Sequence, residues 1–224
     1  MVFERSECPK CGVKLKWWEN VPIFSFLVLK GKCRYCGIKI PLNYLLTELA
    51  GGLLFVAVFY FNNGLQVIAP IKMFFEFFIV SVLLFVFLHD ILYKEILPGA
   101  IWLSIIITLI YHFFIGADIW SVGLGGLLGF SFFALQYFVS KGKWIGGGDV
   151  RLGLFLGLLL GWQLTVVALL FSYWAGAIVG VSLIIAKKSK MNSEIPFGTF
   201  LVVGTLIAMY WGKNIIRWYG SFIN

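Results

Sequence analysis

The sequence predicts an all-α, polytopic membrane protein with about seven transmembrane helices and a small water-facing module at its N-terminus. Of its 224 residues, 61% are hydrophobic and only 12% are charged, and the mean hydropathy is +0.95. A soluble domain carries about 25% charged residues. The composition also changes at Pro41, because the residues before it are polar, basic and cysteine-bearing and those after it are apolar. We therefore expect two domains, residues 1–41 and residues 42–224.

The four cysteines of the N-terminal module form two Cys-x2-Cys pairs. Cys8 and Cys11 are separated from Cys33 and Cys36 by 21 residues. Two such turns can place four thiolates in the tetrahedral arrangement that Zn2+ favours, and a full set of thiolates leaves no open coordination position. The spacing thus predicts a structural zinc site that holds together a module too small for a core of its own. Redox-active dithiols and metal-free cytosolic thiols are the alternatives.

Seven apolar segments follow the module and are candidates for membrane-spanning helices, each of which needs about 20 apolar residues. Residues 152–186 are almost continuously apolar. A single helix of that length would measure roughly 52 Å, against a hydrocarbon core of about 30 Å. We therefore expect a hairpin that turns near Gly161, Trp162 and Gln163. The expected spans are 43–62, 67–89, 98–116, 119–140, 150–161, 164–186 and 198–217.

The distribution of basic residues predicts the orientation of these spans. If the N-terminal module lies in the cytoplasm, all but three of the 18 Lys and Arg residues lie on the cytoplasmic side, the exceptions being Lys72, Lys213 and Arg217. Cytoplasmic loops of membrane proteins carry such an excess of Lys and Arg. The net charge of +8 is therefore explained by membrane orientation, and nucleic-acid binding is not expected.

Two aspartates lie at predicted borders between hydrocarbon and water. Asp90 directly follows the span 67–89, and Asp149 directly precedes the span 150–161. Three glycines, Gly146, Gly147 and Gly148, come immediately before Asp149. The predicted topology places both aspartates at the cytoplasmic face. Ionisable groups in a membrane are costly unless they are paired, hydrated or functional. The glycines should let the backbone bend freely and let another chain approach closely.

Paired carboxylates at one membrane face predict acid/base chemistry. Two nearby carboxylates cannot both ionise at low cost, so they share one proton. One carboxylate can then deprotonate water while the other protonates a scissile carbonyl oxygen, as in aspartic proteases, and this chemistry needs no metal ion. Each residue also has a simpler interpretation, because Asp149 could cap helix 150–161 and Asp90 could be solvated at the interface. A structural role is expected for Glu48 and Glu76, which lie within spans.

Several segments of the chain resemble the type IV prepilin peptidases, the GxGD aspartic proteases of bacterial membranes. Residues 6–36 resemble that family's cytoplasmic cysteine loop, and residues 44–52 resemble the segment that follows it. The Asp90-Ile91 pair fits the first catalytic aspartate, residues 146–149 (GGGD) fit the GxGD box with the second, and residues 195–198 (IPFG) match a late family motif. Thr199 stands where the family often has proline. Family members usually carry one more transmembrane helix before the cysteine loop, and we expect this chain to lack it.

The resemblance implies a bacterial inner-membrane enzyme with its active site at the cytoplasmic face. Its expected partners are the lipid bilayer and the prepilin or pseudopilin substrates of type IV pili and type II secretion. The resemblance implies cleavage after a glycine at the cytoplasmic edge of the substrate's apolar segment, with Asp90 and Asp149 as catalytic residues. Many members also methylate the new N-terminus with S-adenosylmethionine, an activity associated with the region around the cysteine loop. A transporter or channel that uses the aspartates to bind ions or protons is the alternative function.

Overall fold

The structure is a computed structural model that describes residues 6–62, 70–186 and 196–222. Within these ranges the chain forms eight α-helices, one 3-10 helix and two isolated β-bridges, which confirms the predicted all-α class. The chain divides into two compact units, Met1–Ile68 and Ala69–Asn224.

In the first unit, each Cys-x2-Cys pair lies in a tight turn that is closed by an antiparallel β-bridge, Glu7 with Lys14 and Lys32 with Lys39. A glycine follows the second cysteine of each pair, and its φ is 65° at Gly12 and 69° at Gly37. Glycine adopts this left-handed conformation at no steric cost. Each glycine N–H donates to the carbonyl of the first cysteine, at 2.8 Å in the first turn and 2.9 Å in the second. The sequence therefore builds the same backbone turn twice.

The other described elements of the first unit are the 3-10 helix Trp17–Asn20 and two α-helices, α1 (Phe24–Val28) and α2 (Leu42–Phe61). The side chain of Glu48, on α2, accepts a hydrogen bond of 2.7 Å from the N–H of Ile23. Ile23 has a φ of 62°, which is rare for a β-branched residue. Glu48 thus holds the strained N-cap residue of α1, which is a structural role.

Within its described residues, the second unit contains six helices: α3 (Pro70–Tyr93), α4 (Pro98–Phe114), α5 (Ile119–Ser140), α6 (Gly147–Leu160), α7 (Trp162–Ile185) and α8 (Phe197–Gly220). Together with α2 they give the seven apolar helices that the sequence predicts, and residues 67–69 of the second predicted span lie outside the described residues. Five of the helices, α2, α3, α5, α7 and α8, are long and apolar enough to cross a membrane. Helix α6 has 14 residues and measures roughly 21 Å, so it is shorter than the hydrocarbon core of about 30 Å.

The predicted hairpin is confirmed, and its turn is Gly161. This residue has a φ of 73° and separates α6 from α7. At the start of α5, Gly125 lies against Gly157 and Gly161. Near the end of α5, the side chain of Gln136 accepts a hydrogen bond of 2.9 Å from the Tyr173 hydroxyl of α7. Helix α7 therefore starts beside the beginning of α5 and runs parallel to it.

Glycines bring the backbones of α5 and α6 into contact. A Cβ at Gly125 would collide with the carbonyl oxygen of Gly157, and a Cβ at Gly129 would collide with that of Gly153. Small residues allow such close approach between membrane helices. The pairing order makes α6 antiparallel to α5, so the N-terminus of α6 lies near the C-terminal end of α5. Helices α7 and α8 pack in the same manner, with Gly204 against Ser172.

Candidate active site

Asp90 is buried inside the last turns of α3. Its side chain is only 5% exposed, and α3 continues to Tyr93. The prediction that the helix ends before Asp90 is therefore wrong, as is the interpretation of Asp90 as a solvated interfacial residue. Hydropathy marks where the apolar run stops and not where the helix ends. The Asp90 carboxylate can be buried because it has a hydrogen-bond partner within the protein: its Oδ2 accepts the N–H of Thr199 at 2.8 Å.

The partner of Asp90 is the N-terminus of α8. The first amides of a helix have no intrahelical acceptor, and those of both Gly198 and Thr199 act on the Asp90 carboxylate. A Cβ at Gly198 would lie 2.8 Å from Oδ2 and 3.1 Å from Cγ of Asp90. Glycine at this position is therefore what allows the carboxylate to reach the end of the helix.

Asp149 lies in the first turn of α6, which begins at Gly147 with Gly146 as its N-cap. The Asp149 carboxylate accepts the N–H of Gly146 at 3.2 Å, and its own N–H donates to the Gly146 carbonyl at 3.1 Å. This is the position at which an acidic side chain reaches back to the N-cap residue. The alternative that Asp149 is itself the N-cap of a helix 150–161 is therefore wrong, since α6 starts earlier.

The glycines before Asp149 do not provide unusual backbone angles. None of residues 146–148 has a positive φ, so the expectation that they let the backbone bend freely is wrong for this conformation. Instead, a Cβ at Gly148 would lie 3.0 Å from Cβ of Ile96. Glycine there allows close packing against the segment that connects α3 to α4.

The two aspartates lie at the same end of the second unit, where α3 ends and where α6 and α8 begin. They are close enough for the charge of Asp90 to act on Asp149. Ile96 links their surroundings, because its side chain packs against both Gly148 and Gly198.

The four cysteines of the first unit form one cluster. Their Sγ atoms all lie within 4.8 Å of one another, and those of Cys8 and Cys36 are 3.8 Å apart. A tetrahedral site with Zn–S bonds of about 2.3 Å has S···S edges of about 3.8 Å. The structure thus brings together all four predicted ligands, Cys8, Cys11, Cys33 and Cys36, in an arrangement that could hold a metal ion.

The thiols of this cluster influence one another. Hydrogen bonds from the backbone N–H groups of Cys11 and Lys10 lower the pKa of Cys8 to about 6. Although the backbone N–H of Val13 favours the Cys11 thiolate, burial and the side chains of Cys8 and Cys36 raise the pKa of Cys11 to about 11. The protein thus stabilises one thiolate by itself, and a bound cation would favour the others, because metal binding requires deprotonated cysteines.

Sequence reasoning did not foresee the contact between Asp90 and α8. The residues involved are 109 positions apart in the chain, and hydropathy does not indicate which helices pack together. The resemblance of residues 195–198 to a family motif was the available signal, because it marked Gly198 without assigning it a partner.

Comparison with known protein families gives two matches. Residues 1–61 match the model of the bacterial peptidase A24 N-terminal domain, and residues 77–181 match that of the type IV leader peptidase family. No solved structure matches the chain.

Three similar proteins share the name prepilin leader peptidase/N-methyltransferase. The protein from Legionella pneumophila is 32% identical over 98% of this chain and 76% of its own length. The one from Pseudomonas aeruginosa is 32% identical, with 99% of this chain and 77% of that protein covered. The one from Bacillus subtilis is 31% identical, and the alignment covers 98% of this chain and 86% of that protein. Two matching family models and this near-complete alignment show that the chain is a member of the type IV leader peptidase family.

Proposed function

We propose that the chain is a membrane aspartic endopeptidase that removes the leader of type IV prepilins or pseudopilins, with Asp90 and Asp149 as its catalytic pair. The observation that carries the proposal is the convergence of these two residues, which come from different helices and interact electrostatically. Similar proteins named prepilin leader peptidase support the substrate.

The proposed chemistry follows from the pair. Two carboxylates that share one proton can activate a water molecule with the ionised member and protonate the scissile carbonyl oxygen with the other. The backbone amides of Gly198 and Thr199 hold the Asp90 carboxylate in place, and the N–H of Gly146 holds that of Asp149. Such preorganisation matters because a small misplacement of a reacting group can cost a large factor in rate.

The proposed location is the cytoplasmic face of the bacterial inner membrane. Placing the N-terminal module in the cytoplasm gives the charge distribution that membrane topology favours, and the same topology puts both aspartates on that side. A prepilin substrate would keep its basic leader in the cytoplasm and its apolar segment in the bilayer, so its cleavage site would lie at the depth of the pair.

The test is cleavage of a synthetic prepilin by the purified protein in detergent, followed by mass analysis of the product. Wild-type protein should cut after the leader glycine without an ion gradient, whereas Asp90→Asn and Asp149→Asn should reduce the rate by several orders of magnitude. The helical circular dichroism of both variants should match that of wild type. Full cleavage by either variant would exclude the aspartic mechanism, and ion transport without cleavage would favour a transporter.

Methylation of the newly exposed N-terminus is a second proposed activity, because the similar proteins are also named N-methyltransferase. When bound, S-adenosylmethionine supplies a methyl group on a positively charged sulfur. The first unit fits such a ligand, since it contains a cavity of about 670 Å3 beside a buried carboxylate oxygen with no hydrogen-bond partner among the described residues. We also propose that the metal of the cysteine cluster is structural Zn2+.

A further inference from the structure

The cavity of the first unit has the size and lining of a ligand site. Its volume of about 670 Å3 lies within the range of about 300 to 1,000 Å3 that small-molecule pockets occupy. It is lined by both cysteine turns, by the 3-10 helix and by the beginning of α2. Apolar side chains such as Phe26 and Leu29 provide much of the wall, and Glu19, Arg34 and Glu48 add charged groups.

Glu19 is the residue of this wall that most clearly indicates a ligand. Its side chain is 8% exposed. Oε2 accepts the backbone N–H of Lys16 at 2.8 Å, whereas Oε1 is buried and, among the residues that the structure describes, has no hydrogen-bond partner. A buried carboxylate oxygen without a partner is costly, and most such atoms in native proteins are hydrogen-bonded.

The other charges around the cavity determine which kind of ligand would complete this site. Glu48 contributes a second carboxylate to the wall, already bound to the N–H of Ile23. The two carboxylates, Glu19 and Glu48, together favour a cation. Arg34 and Lys39, on the same wall, suit a ligand that also carries a negative group, such as an amino acid carboxylate.

We propose that Glu19 is the counter-ion of a cationic group bound in this cavity, either the sulfonium or ammonium group of S-adenosylmethionine or the free N-terminal amine of the cleaved pilin. The inference rests on the proposed methyltransferase activity and is independent of the aspartate pair. It gives the first unit a binding role in addition to its cysteine cluster.

The test measures binding directly, so the outcome does not depend on leader cleavage. Isothermal titration calorimetry on the full-length, zinc-loaded protein in detergent uses three probes. S-adenosylmethionine carries both cationic groups, S-adenosylhomocysteine lacks the sulfonium charge, and a peptide with the mature pilin N-terminus carries the free amine. In Glu19→Gln the affinity for at least one probe should fall about tenfold or more, the loss expected when a charged hydrogen bond is removed.

The pattern of losses identifies the cationic group. A loss for S-adenosylmethionine alone indicates the sulfonium, a loss for both nucleoside ligands indicates their ammonium group, and a loss for the peptide alone indicates its N-terminal amine. Unchanged affinity for all three probes in Glu19→Gln, or no binding by wild-type protein, would overturn the proposal.

Glu95 provides a control of equal charge change, because it is exposed to solvent and does not line the cavity. Glu95→Gln removes the same charge and should change each affinity less than about twofold, since solvent screens exposed charges. An equal loss in both variants would contradict a specific role for Glu19. Zinc content should remain at the wild-type value in Glu19→Gln, whose amide oxygen can still accept the N–H of Lys16. If that variant does not fold, slower hydrogen exchange at residues 16–20 of the wild-type protein on ligand addition serves as the readout.

Discussion

Replacing Gly198 by alanine should slow leader cleavage, because the new side chain displaces the Asp90 carboxylate. The new Cβ would lie 2.8 Å from Oδ2 and 3.1 Å from Cγ of Asp90. Since non-bonded carbon atoms approach to about 3.5 Å or more, the carboxylate must move by roughly half an ångström. Its hydrogen bond to Thr199, now 2.8 Å, then stretches beyond the upper limit of about 3.2 Å for a good N–H···O bond.

The expected decrease in the cleavage rate follows from the loss of that hydrogen bond. A hydrogen bond contributes about 1.5 to 3 kcal/mol when one partner is charged, which corresponds to a roughly 13- to 160-fold slower reaction. Thr199→Pro should fall at the lower end of this range, because proline removes the N–H without adding bulk at Gly198.

The assay is kcat for a synthetic prepilin, measured together with the thermal unfolding midpoint of each variant. Gly176→Ala is the matched control. Gly176 lies on α7 and faces Phe200, which is on α8 as Gly198 is, but its new Cβ would make only an ordinary contact of 3.5 Å with Phe200. A wild-type kcat in Gly198→Ala would refute the argument that α8 positions Asp90. So would an equal fall in kcat for Gly176→Ala.

Three further predictions concern other parts of the chain. Cys33→Ser should lower the zinc content, measured by elemental analysis, well below one ion per chain, and a normal zinc content would contradict the four-thiolate site. Gly129→Ala should reduce the free energy of unfolding by about 1 to 3 kcal/mol through overpacking, whereas Gly123→Ala, which meets no atom within 4 Å, should change it little; equal thermal midpoints would be inconsistent with backbone contact at α5. Tyr173→Phe should lower the free energy of unfolding by about 1 kcal/mol because the hydrogen bond to Gln136 is lost, and the double variant with Gln136→Leu should show no further loss from that bond.

The sequence predicts the helices of this protein well because each is a long apolar run bounded by polar or glycine residues. The turn at Gly161 could be inferred because a continuous helix would exceed the bilayer thickness. The cysteine cluster could be predicted equally well, because two Cys-x2-Cys turns have a well-known geometry. The domain boundary at residue 41 stays a prediction.

Contacts between residues that lie far apart in the chain could not be predicted from the sequence. The burial of Asp90 depends on α8, and the role of Glu48 depends on Ile23, a residue of unusual φ that no hydropathy pattern marks. Glu19 gave no signal beyond its place in a family-like segment, because its importance arises from a cavity that forms only when both cysteine turns fold.

The glycine contacts between α5 and α6 have a mechanical consequence. Since backbone touches backbone at Gly125 and Gly129, we expect α5 and α6 to move together, and Asp149 to move with them. Asp90 is held by the N-terminus of α8 through the N–H of Thr199. The distance between the acids should therefore depend on how α6 and α8 pack against Ile96, which lies against Gly148 and Gly198, and a bulkier or smaller residue at position 96 should change that distance without altering either acid.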